Sequence, residues 1–559
     1  MSATPDIATK ASSATGAQAV IEGLLRVGIT CGFGIPSIHN IALYEGLRCC
    51  PEFHHWVVRH EQAAGFAADG FYRAGGGVAA VFASTGPGNL FTVVPLLESL
   101  QSGIPVLVIG TNIASALQVK SGGALHETPH QIDVFKPLTR LARSVRTPDE
   151  IPGAIAAANE VLRGTAPGPV FIEIPHDFLL APVGAIPPAD QPPRTDATFS
   201  SDEIASALQL VARSQRPVVL LGAGARSHQQ RILQLADSLG SPILTTTSGK
   251  GIVPDDHPLS FGCMSRLGAV QDVLGASDLL ISFGARLTEF DTGRFGLKLP
   301  AQHLQVVEDA AYAGDRLPAT IRLVGSIDAA VTSLSDEKRR RAPWFDLGAA
   351  RSREKERLEG LKSDAYAALM VLRSALDRSD LLINDQSILN YWASAFFPVF
   401  EPGTFLYPLG SGTLGYGLPA AIGAACALRV AGKQRKVVCI AGDGGFQYTQ
   451  HELATLAQYD LPVKILLVND EAYGVIGFLQ RSLFGHTHEV ALKNPDFCRM
   501  AEAHGIRAER VTNLERLQQR LPDWLQSPGP ALLEWRTELK APWEIGAIPR
   551  PTGISTKQS

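Results

Sequence analysis

Short apolar runs alternate with longer stretches in which apolar residues recur every three or four positions, from one end of the chain to the other. The runs at 78–83, 105–110, 169–174, 217–222, 279–284, 436–441 and 463–469 are mostly apolar without alternation, as strands buried on both faces are. Most of them give way to Gly, Ser, Thr, Asn or Asp, the residues that turn a strand into a loop. The pattern predicts α/β domains on doubly wound parallel sheets, with ligands bound where the strands end at their carboxyl edges.

Two zones punctuate the pattern. Residues 184–200 hold Pro187-Pro188 and Pro192-Pro193 among small polar residues and read as a linker. Residues 336–359 are dense in charge, with Glu337-Lys338-Arg339-Arg340-Arg341 ahead of 351–359, and read as a solvated helix or connector rather than a basic arm. Three α/β domains result, at 1–185, 195–335 and 355–545, in keeping with a length of 559 residues. Residues 1–16 lack an apolar core segment and read as a frayed tail, not a signal peptide; the last dozen residues read as a loose tail too.

Composition narrows the function classes. With 45% hydrophobic and 19% charged residues the chain is expected to be soluble and globular. Fifty Lys and Arg against 54 Asp and Glu leave a formal charge of -4, so no concentrated cationic face for nucleic acid is expected. The seven cysteines form no CxxC pair and no Cys/His cluster, which argues against a disulfide framework or structural zinc and for a reducing, cytoplasmic setting. Residues 402–428 are uncharged, but their glycines, Pro419, Ser411 and Thr413 suit a buried loop and helix better than a membrane span.

The strongest chemical signal is Gly442-Asp443-Gly444-Gly445 directly after the run 436–441, followed about 25 residues later by a second run ending in Asn469-Asp470. Gly442 and Gly444 let backbone approach a diphosphate, and a helix starting near Thr449 would direct its positive end at it. Asp443 and Asn469 offer hard oxygen ligands at neighbouring strand ends, which suits Mg²⁺ shared between protein and phosphate. A lone GDG is usually a turn; strand, GDGG, helix, strand and Asn in sequence are far more specific.

This constellation resembles the diphosphate-binding motif of thiamine-diphosphate enzymes of the acetohydroxyacid synthase and 2-oxo acid decarboxylase type. The resemblance extends to Arg59-His60-Glu61-Gln62-Ala63-Ala64, Thr85-Gly86-Pro87-Gly88-Asn89, Gly249-Lys250-Gly251 and Gly412-Thr413-Leu414-Gly415-Tyr416-Gly417-Leu418-Pro419, in the family's order and at family-like separations. It implies an aminopyrimidine-binding, a central and a diphosphate-binding domain, in that order. It further implies thiamine diphosphate bound through Gly412, Leu414, Gly442, Asp443, Gly444 and Gly445, and Mg²⁺ held by Asp443, Asn469 and the carbonyl of Glu471, whose side chain is expected to be uncommitted. Leu414 would enforce the bent cofactor conformation. Glu61 would hydrogen-bond the aminopyrimidine and so drive loss of the thiazolium C2 proton. The resemblance also implies a homodimer or homotetramer.

Departures from the known subtypes sharpen the expectation. Acetohydroxyacid synthases carry a glutamine near Gly110-Thr111-Asn112, an aromatic and a glutamine where this chain has Leu125 and His126, and a tryptophan at Leu479. Pyruvate decarboxylases carry a paired-histidine motif and a glutamate at Ile476, and benzoylformate decarboxylases a histidine at Phe82. His39 corresponds to the active-site histidine of benzaldehyde-lyase-like enzymes and His126 to a substrate-facing glutamine there. Both become candidates to move protons, since imidazole titrates near neutrality. The combination most resembles 2-ketoarginine decarboxylases, but Gly477-Phe478-Leu479 is apolar where those enzymes carry acids.

The implied reaction is decarboxylation of a small-molecule 2-oxo acid through a C2 carbanion and an enamine. The alternatives are an acetolactate-synthase-like carboligase or carboligating lyase and, less favoured, a non-catalytic cofactor-binding homologue. Val475, Ile476, Phe478 and Leu479 are the expected substrate contacts, so an apolar side chain is expected on the acid unless Glu471, Glu289 or Asp291 turns inward. FAD, which acetohydroxyacid synthases hold in the central domain, is not favoured, because Gly222-Ala223-Gly224-Ala225-Arg226 also serves ordinary packing.

Overall fold

The computed structural model describes residues 14–118, 122–184, 199–314, 316–335 and 340–550. Most of the expected tails, the linker prolines and Glu337-Lys338-Arg339 lie outside the described residues. The chain divides into two compact units, Met1–Ala68 with Gly77–Pro193, and Asp69–Gly76 with Arg194–Ser559.

The first unit is built on β1 Cys31–Gly34, β2 His54–Val57, β3 Ala80–Ala83, β4 Leu107–Asn112, β5 Leu141–Ser144 and β6 Val170–Pro175. Proline at 105 and 169 has no N–H to give a ladder, so β4 and β6 begin just beyond the expected positions. The second unit holds two sheets. One contains β7 Pro217–Leu221, β8 Ile243–Thr245, β9 Ser260–Cys263, β10 Leu279–Phe283, β11 Gln302–Val307 and β12 Ile321–Val324. The other contains β13 Leu381–Asn384, β14 Phe405–Leu406, β15 Val437–Gly442, β16 Val463–Asn469, β17 Arg507–Val511 and β18 Ala531–Arg536.

Every named strand pairing is parallel, which requires a crossover between paired strands and explains the helix-length stretches between the apolar runs. Both faces of each sheet must then be covered. In β7, Val218 and Leu220 enter one apolar cluster while Val219 and Leu221 enter the opposite one. Full burial of such a side chain contributes about 1.5–3 kcal/mol, which is why apolar residues occupy both parities.

The strand orders are informative. The first sheet runs β2-β1-β3-β4-β6-β5 and the third β14-β13-β15-β16-β18-β17, the same order position for position. The middle sheet, β12-β11-β10-β7-β8-β9, follows the other doubly wound plan. In the first and third sheets the order reverses between the first and third strands in sequence, and the loops leaving β1 and β3, or β13 and β15, diverge to make a crevice there. His39 and Gly86 follow β1 and β3; Asp385 and the Gly442–Gly445 turn follow β13 and β15.

Within the second unit the two sheets are tied together by Asp255, whose N–H donates to the Val399 carbonyl and whose Oδ2 accepts the Val399 N–H at 2.9 Å. Lys250 of Gly249-Lys250-Gly251 is buried there, 4.0 Å from Asp255 Oδ2 and over the Phe405 ring. Asp69 accepts the Tyr416 hydroxyl at 2.7 Å and the Arg73 guanidinium at 2.6 Å. The expected buried helix in 402–428 is Gly417–Val430, and the charged stretch 351–359 lies in the helix Leu347–Gly360. Gly222 of the central glycine run packs so close to Gly284 that a Cβ would stand 2.2 Å from its carbonyl oxygen, which is the packing use weighed for this run. Among the described residues no helix is long and apolar enough to cross a membrane.

Candidate functional site

In the second unit, β15 is buried throughout and ends at Gly442, the N-cap of a one-turn helix, Asp443–Phe446. A first helical turn thus starts at Asp443, ahead of the helix expected near Thr449, where a 3-10 turn, Gln450–Glu452, leads directly into the helix Leu453–Tyr459. The glycines are demanded by their neighbours. An added Cβ would stand 2.9 Å from Ser387 Cβ at Gly442, 2.7 Å from the Tyr473 ring at Gly444, and 2.8 Å from Asp385 Oδ1 at Gly445.

Asp385, which the sequence reading missed, organises this floor. Its carboxylate accepts N–H groups from Gln386 at 2.7 Å, Gly417 at 2.9 Å and Gly415 at 3.1 Å, joining the Gly412–Leu418 segment to the glycine turn. Burial pushes its pKa up to about 6 against the opposing pull of those N–H groups.

Asp443 and Asn469 come together as expected. Asn494 Nδ2 donates to Asp443 Oδ2 at 2.5 Å and to Asn469 Oδ1 at 2.9 Å. Asn469 is oriented from behind, its Nδ2 donating to the buried Glu534 Oε1 at 2.7 Å, so that Oδ1 faces the site. Asp443 shares a hydrogen bond with Asp470, and both are pushed up, first by burial; at Asp470 the neighbouring Asp443 charge adds to it. A buried and a half-buried carboxyl group beside an amide oxygen form a donor set that fits a hard divalent cation, whose charge would relieve their repulsion.

One of the two expectations about Glu471 changes. It adopts φ 53°, and its carbonyl accepts the Leu492 N–H at 2.7 Å. Its side chain is not uncommitted, because Arg536 pairs with it at 2.7 Å, both groups being about half exposed. A different acidic group, Asp496, Cys498 and Glu534, is already occupied by Arg510, which bonds both carboxylates.

Above the glycine turn opens a cavity of about 420 Å³. Gly412, Leu414, Gly442, Asp443, Gly444 and Gly445 line it at one end. Phe290, Tyr391, Leu409, Val475 and Ile476 supply apolar wall. Phe478 does not line it. Helical rotation turns Phe478 into the core against Trp543, and Leu479 packs half-buried on the same cluster. Asp291 is also withdrawn, buried and bonded by Thr247 N–H and the Thr288 hydroxyl, both at 2.8 Å, and Glu289 is exposed.

The first unit gathers the other candidates. Glu61 opens the helix Glu61–Phe71, and a Cβ on Gly88 would stand 3.0 Å from its Oε1. Gly86 has φ 64°, and a Cβ there would stand 2.3 Å from the His126 carbonyl oxygen. That loop is locked by Gln131, which accepts the Gly86 N–H at 2.8 Å and donates to Glu173 at 2.8 Å and to the Thr111 carbonyl at 3.1 Å.

His39 and His126 meet with ring centroids 5.2 Å apart, and a third histidine unforeseen from the sequence, His176, lies 5.0 Å from His39. Its only local signal is its place directly after β6. The acids next to these histidines in sequence are engaged elsewhere: Asp177 takes the Ser115 N–H and hydroxyl, and Glu127 takes the N–H groups of 122–124. His39 Nδ1 is buried without a hydrogen-bond partner. Burial, followed by His176 and His126, lowers the His39 pKa, so the neutral imidazole is favoured.

Two strand-end loop clusters, one presenting acidic oxygens over a glycine floor and one a glutamate over a glycine loop with histidines, are matched by three family models. These are the thiamine pyrophosphate enzyme N-terminal binding domain over 14–136, the central domain over 204–334 and the C-terminal binding domain over 386–535. The chain belongs to the thiamine pyrophosphate enzyme family. Among its relatives, the probable 2-ketoarginine decarboxylase AruI of Pseudomonas aeruginosa is 33% identical, the match covering 93% of this chain and 94% of that one. The acetolactate synthase isozyme 1 large subunit of Escherichia coli is 29% identical over 94% of each chain. A solved structure described as a thiamin diphosphate-dependent enzyme from Mycobacterium smegmatis shares the fold at a TM-score of 0.78, with 24% identity, covering 94% of this chain and 100% of that one. The two thiamine-pyrophosphate-binding domain matches fall on the two sheets of identical strand order.

Proposed function

We propose that this family member is a thiamine-diphosphate- and Mg²⁺-dependent decarboxylase of an apolar 2-oxo acid, with three domains at 1–185, 195–335 and 355–545. The observation that carries the reading is the joining, in one cavity, of a carboxylate-lined glycine floor to a wall of Phe290, Leu409, Val475 and Ile476. Bound thiamine diphosphate supplies an electron sink for breaking the bond between a carbonyl carbon and its carboxylate. The chain's residues do the rest. Asp443 and Asn469 hold the cation, with the Glu471 carbonyl as a third donor if its second lone pair is used, and Gly442, Gly444 and Gly445 admit the diphosphate. Leu414 supports the cofactor rings, and Glu61 holds a proton at the aminopyrimidine.

His39 and His126 move protons to and from the substrate, with His176 beside them. The apolar wall is the part that would face a substrate side chain, and the acids nearest to it in sequence are withdrawn: Glu471 is paired with Arg536 and Asp291 is buried elsewhere, while Asp470 lies with Asp443 at the glycine floor. A charged side chain there would lose hydration without compensation. Because the family's relatives include both a named decarboxylase and named acetolactate synthases, carboligation is the second reading. A homodimer or homotetramer is the proposed assembly.

A product-resolved comparison of 2-oxo-isocaproate, phenylpyruvate and 5-guanidino-2-oxopentanoate, with thiamine diphosphate and Mg²⁺ supplied, tests it. An aldehyde from the apolar acids, at higher kcat/KM than from the guanidino acid, is expected. A hydroxy ketone or acetohydroxy acid as main product favours the second reading, and preference for the guanidino acid defeats the apolar one.

A further inference from the structure

Asn494 touches both side chains read as cation ligands. Its two amide protons go to Asp443 Oδ2 at 2.5 Å and Asn469 Oδ1 at 2.9 Å, and its own Oδ1 accepts Gln447 Nε2 at 2.8 Å. Turning the amide over would set its oxygen against two acceptors and its NH2 against the Gln447 donor, so its orientation is fixed. The chain just before it is held as well, because Leu492 N–H bonds the Glu471 carbonyl at 2.7 Å and Tyr473 N–H bonds the Val490 carbonyl at 2.9 Å. The segment carrying Asn494 is thus laced to the segment that follows Asn469.

We propose that Asn494 is the positioning residue of the cation site: one neutral amide spans the two ligand oxygens and fixes their separation, while the Glu471 N–H holds Asn469 Oδ1 at 3.1 Å from its own side. The inference rests on the reading of Asp443 and Asn469 as ligands. The residue type suits the task. An acid here would add a third carboxylate to Asp443 and Asp470, a lysine would compete with the cation, and a hydroxyl has one proton for two oxygens. Gln447 completes the device by holding the amide from behind, as Glu534 holds Asn469.

A positioning role has a signature that general loosening lacks. Mg²⁺ demands near-ideal octahedral geometry at about 2.0–2.1 Å, whereas Ca²⁺ accepts a longer and more irregular shell. Releasing the two oxygens from a fixed spacing should therefore penalise Mg²⁺ more than Ca²⁺.

The test is calorimetric titration of Mg²⁺, and separately of Ca²⁺, into the full chain with thiamine diphosphate present. Asn494→Ala is expected to weaken Mg²⁺ binding by about 10–100-fold and Ca²⁺ binding by less than about threefold. Gln447→Ala, which leaves Asn494 in place but frees its amide, is expected to weaken Mg²⁺ in the same direction by a smaller factor. It serves if Asn494→Ala does not fold. Unchanged Mg²⁺ affinity, or equal losses for the two cations, overturns the proposal. Asp443→Ala run alongside separates the two layers of argument. If it abolishes Mg²⁺ binding while Asn494→Ala does not, only the positioning role falls; if Mg²⁺ binding survives it, the ligand assignment falls and the positioning role with it.

Discussion

Gly88 and Glu61 are fitted to each other: a methyl group on Gly88 would stand 3.0 Å from Glu61 Oε1 and 3.1 Å from Ser84 Cβ. Gly88→Ala must therefore displace the carboxylate or the loop by a few tenths of an ångström. Because an orienting group misplaced on this scale is costly in rate, kcat is expected to fall by about tenfold or more. The melting temperature should move little, since the carboxylate end of Glu61 can yield. Wild-type kcat in this variant would show that the close approach has no catalytic meaning.

Glu61→Gln keeps the side chain's shape and removes its charge. If Glu61 acts on the proton relay and not on anchorage, turnover should drop by about 10²–10⁴-fold while thiamine diphosphate affinity changes only modestly. Equilibrium binding and single-turnover rates separate the two quantities. Near-normal turnover contradicts the role given to Glu61.

His39 carries a lowered pKa, caused first by burial and then by His176 and His126. The neutral form is therefore populated down to a pH below the ordinary 6.5, and protonation on the acid side removes the acceptor. The pH profile of kcat/KM should show an acid limb below 6.5, and His39→Ala should lose that limb along with about 10²-fold in rate. His176→Ala should leave more activity but move the limb upward, because a repelling neighbour has gone. An unmoved limb in both variants assigns it to another group.

Asp385 tests the floor of the cavity through stability. Its carboxyl is raised from 3.8 to about 6 in the folded protein, so the folded state binds the proton more tightly than the unfolded chain does. Its contribution is complete below 3.8 and lost as pH rises through about 6, a difference of about 3 kcal/mol. The stability of the wild type minus that of Asp385→Asn should accordingly shrink between pH 4 and 6 in denaturant titrations. A difference that is flat with pH would mean that Asp385 ionises freely.

The sequence disclosed what is local. Gly442-Asp443-Gly444-Gly445 and Asn469 stand at strand ends, where turn chemistry and the strand's apolar run are read together within a few residues. Glu61 opens its helix for the same reason. The extra helical turn at Asp443 was not legible because the residues packed against its glycines, Asp385 and Ser387, come from another strand end. Phe478 and Leu479 look like pocket residues until Trp543, far along the chain, shows which face of their helix is inward. His176, Asp385 and Asn494 were invisible for a related reason. Each works only through partners brought close by the sheet order, and no spacing in the chain records that.

The first and third sheets repeat one strand order, and in both the chemistry sits in loops while the strands beneath are mostly apolar. Stability and catalysis are thereby assigned to nearly separate sets of residues. Exchange of a half-exposed side chain beyond a strand end, such as Ile476 in the helix Gly474–Phe484, leaves the packed interior untouched and can redirect the substrate without endangering folding. A chain organised in this way can diversify quickly, because the residues that keep its frame and those that line its cavity change under different constraints.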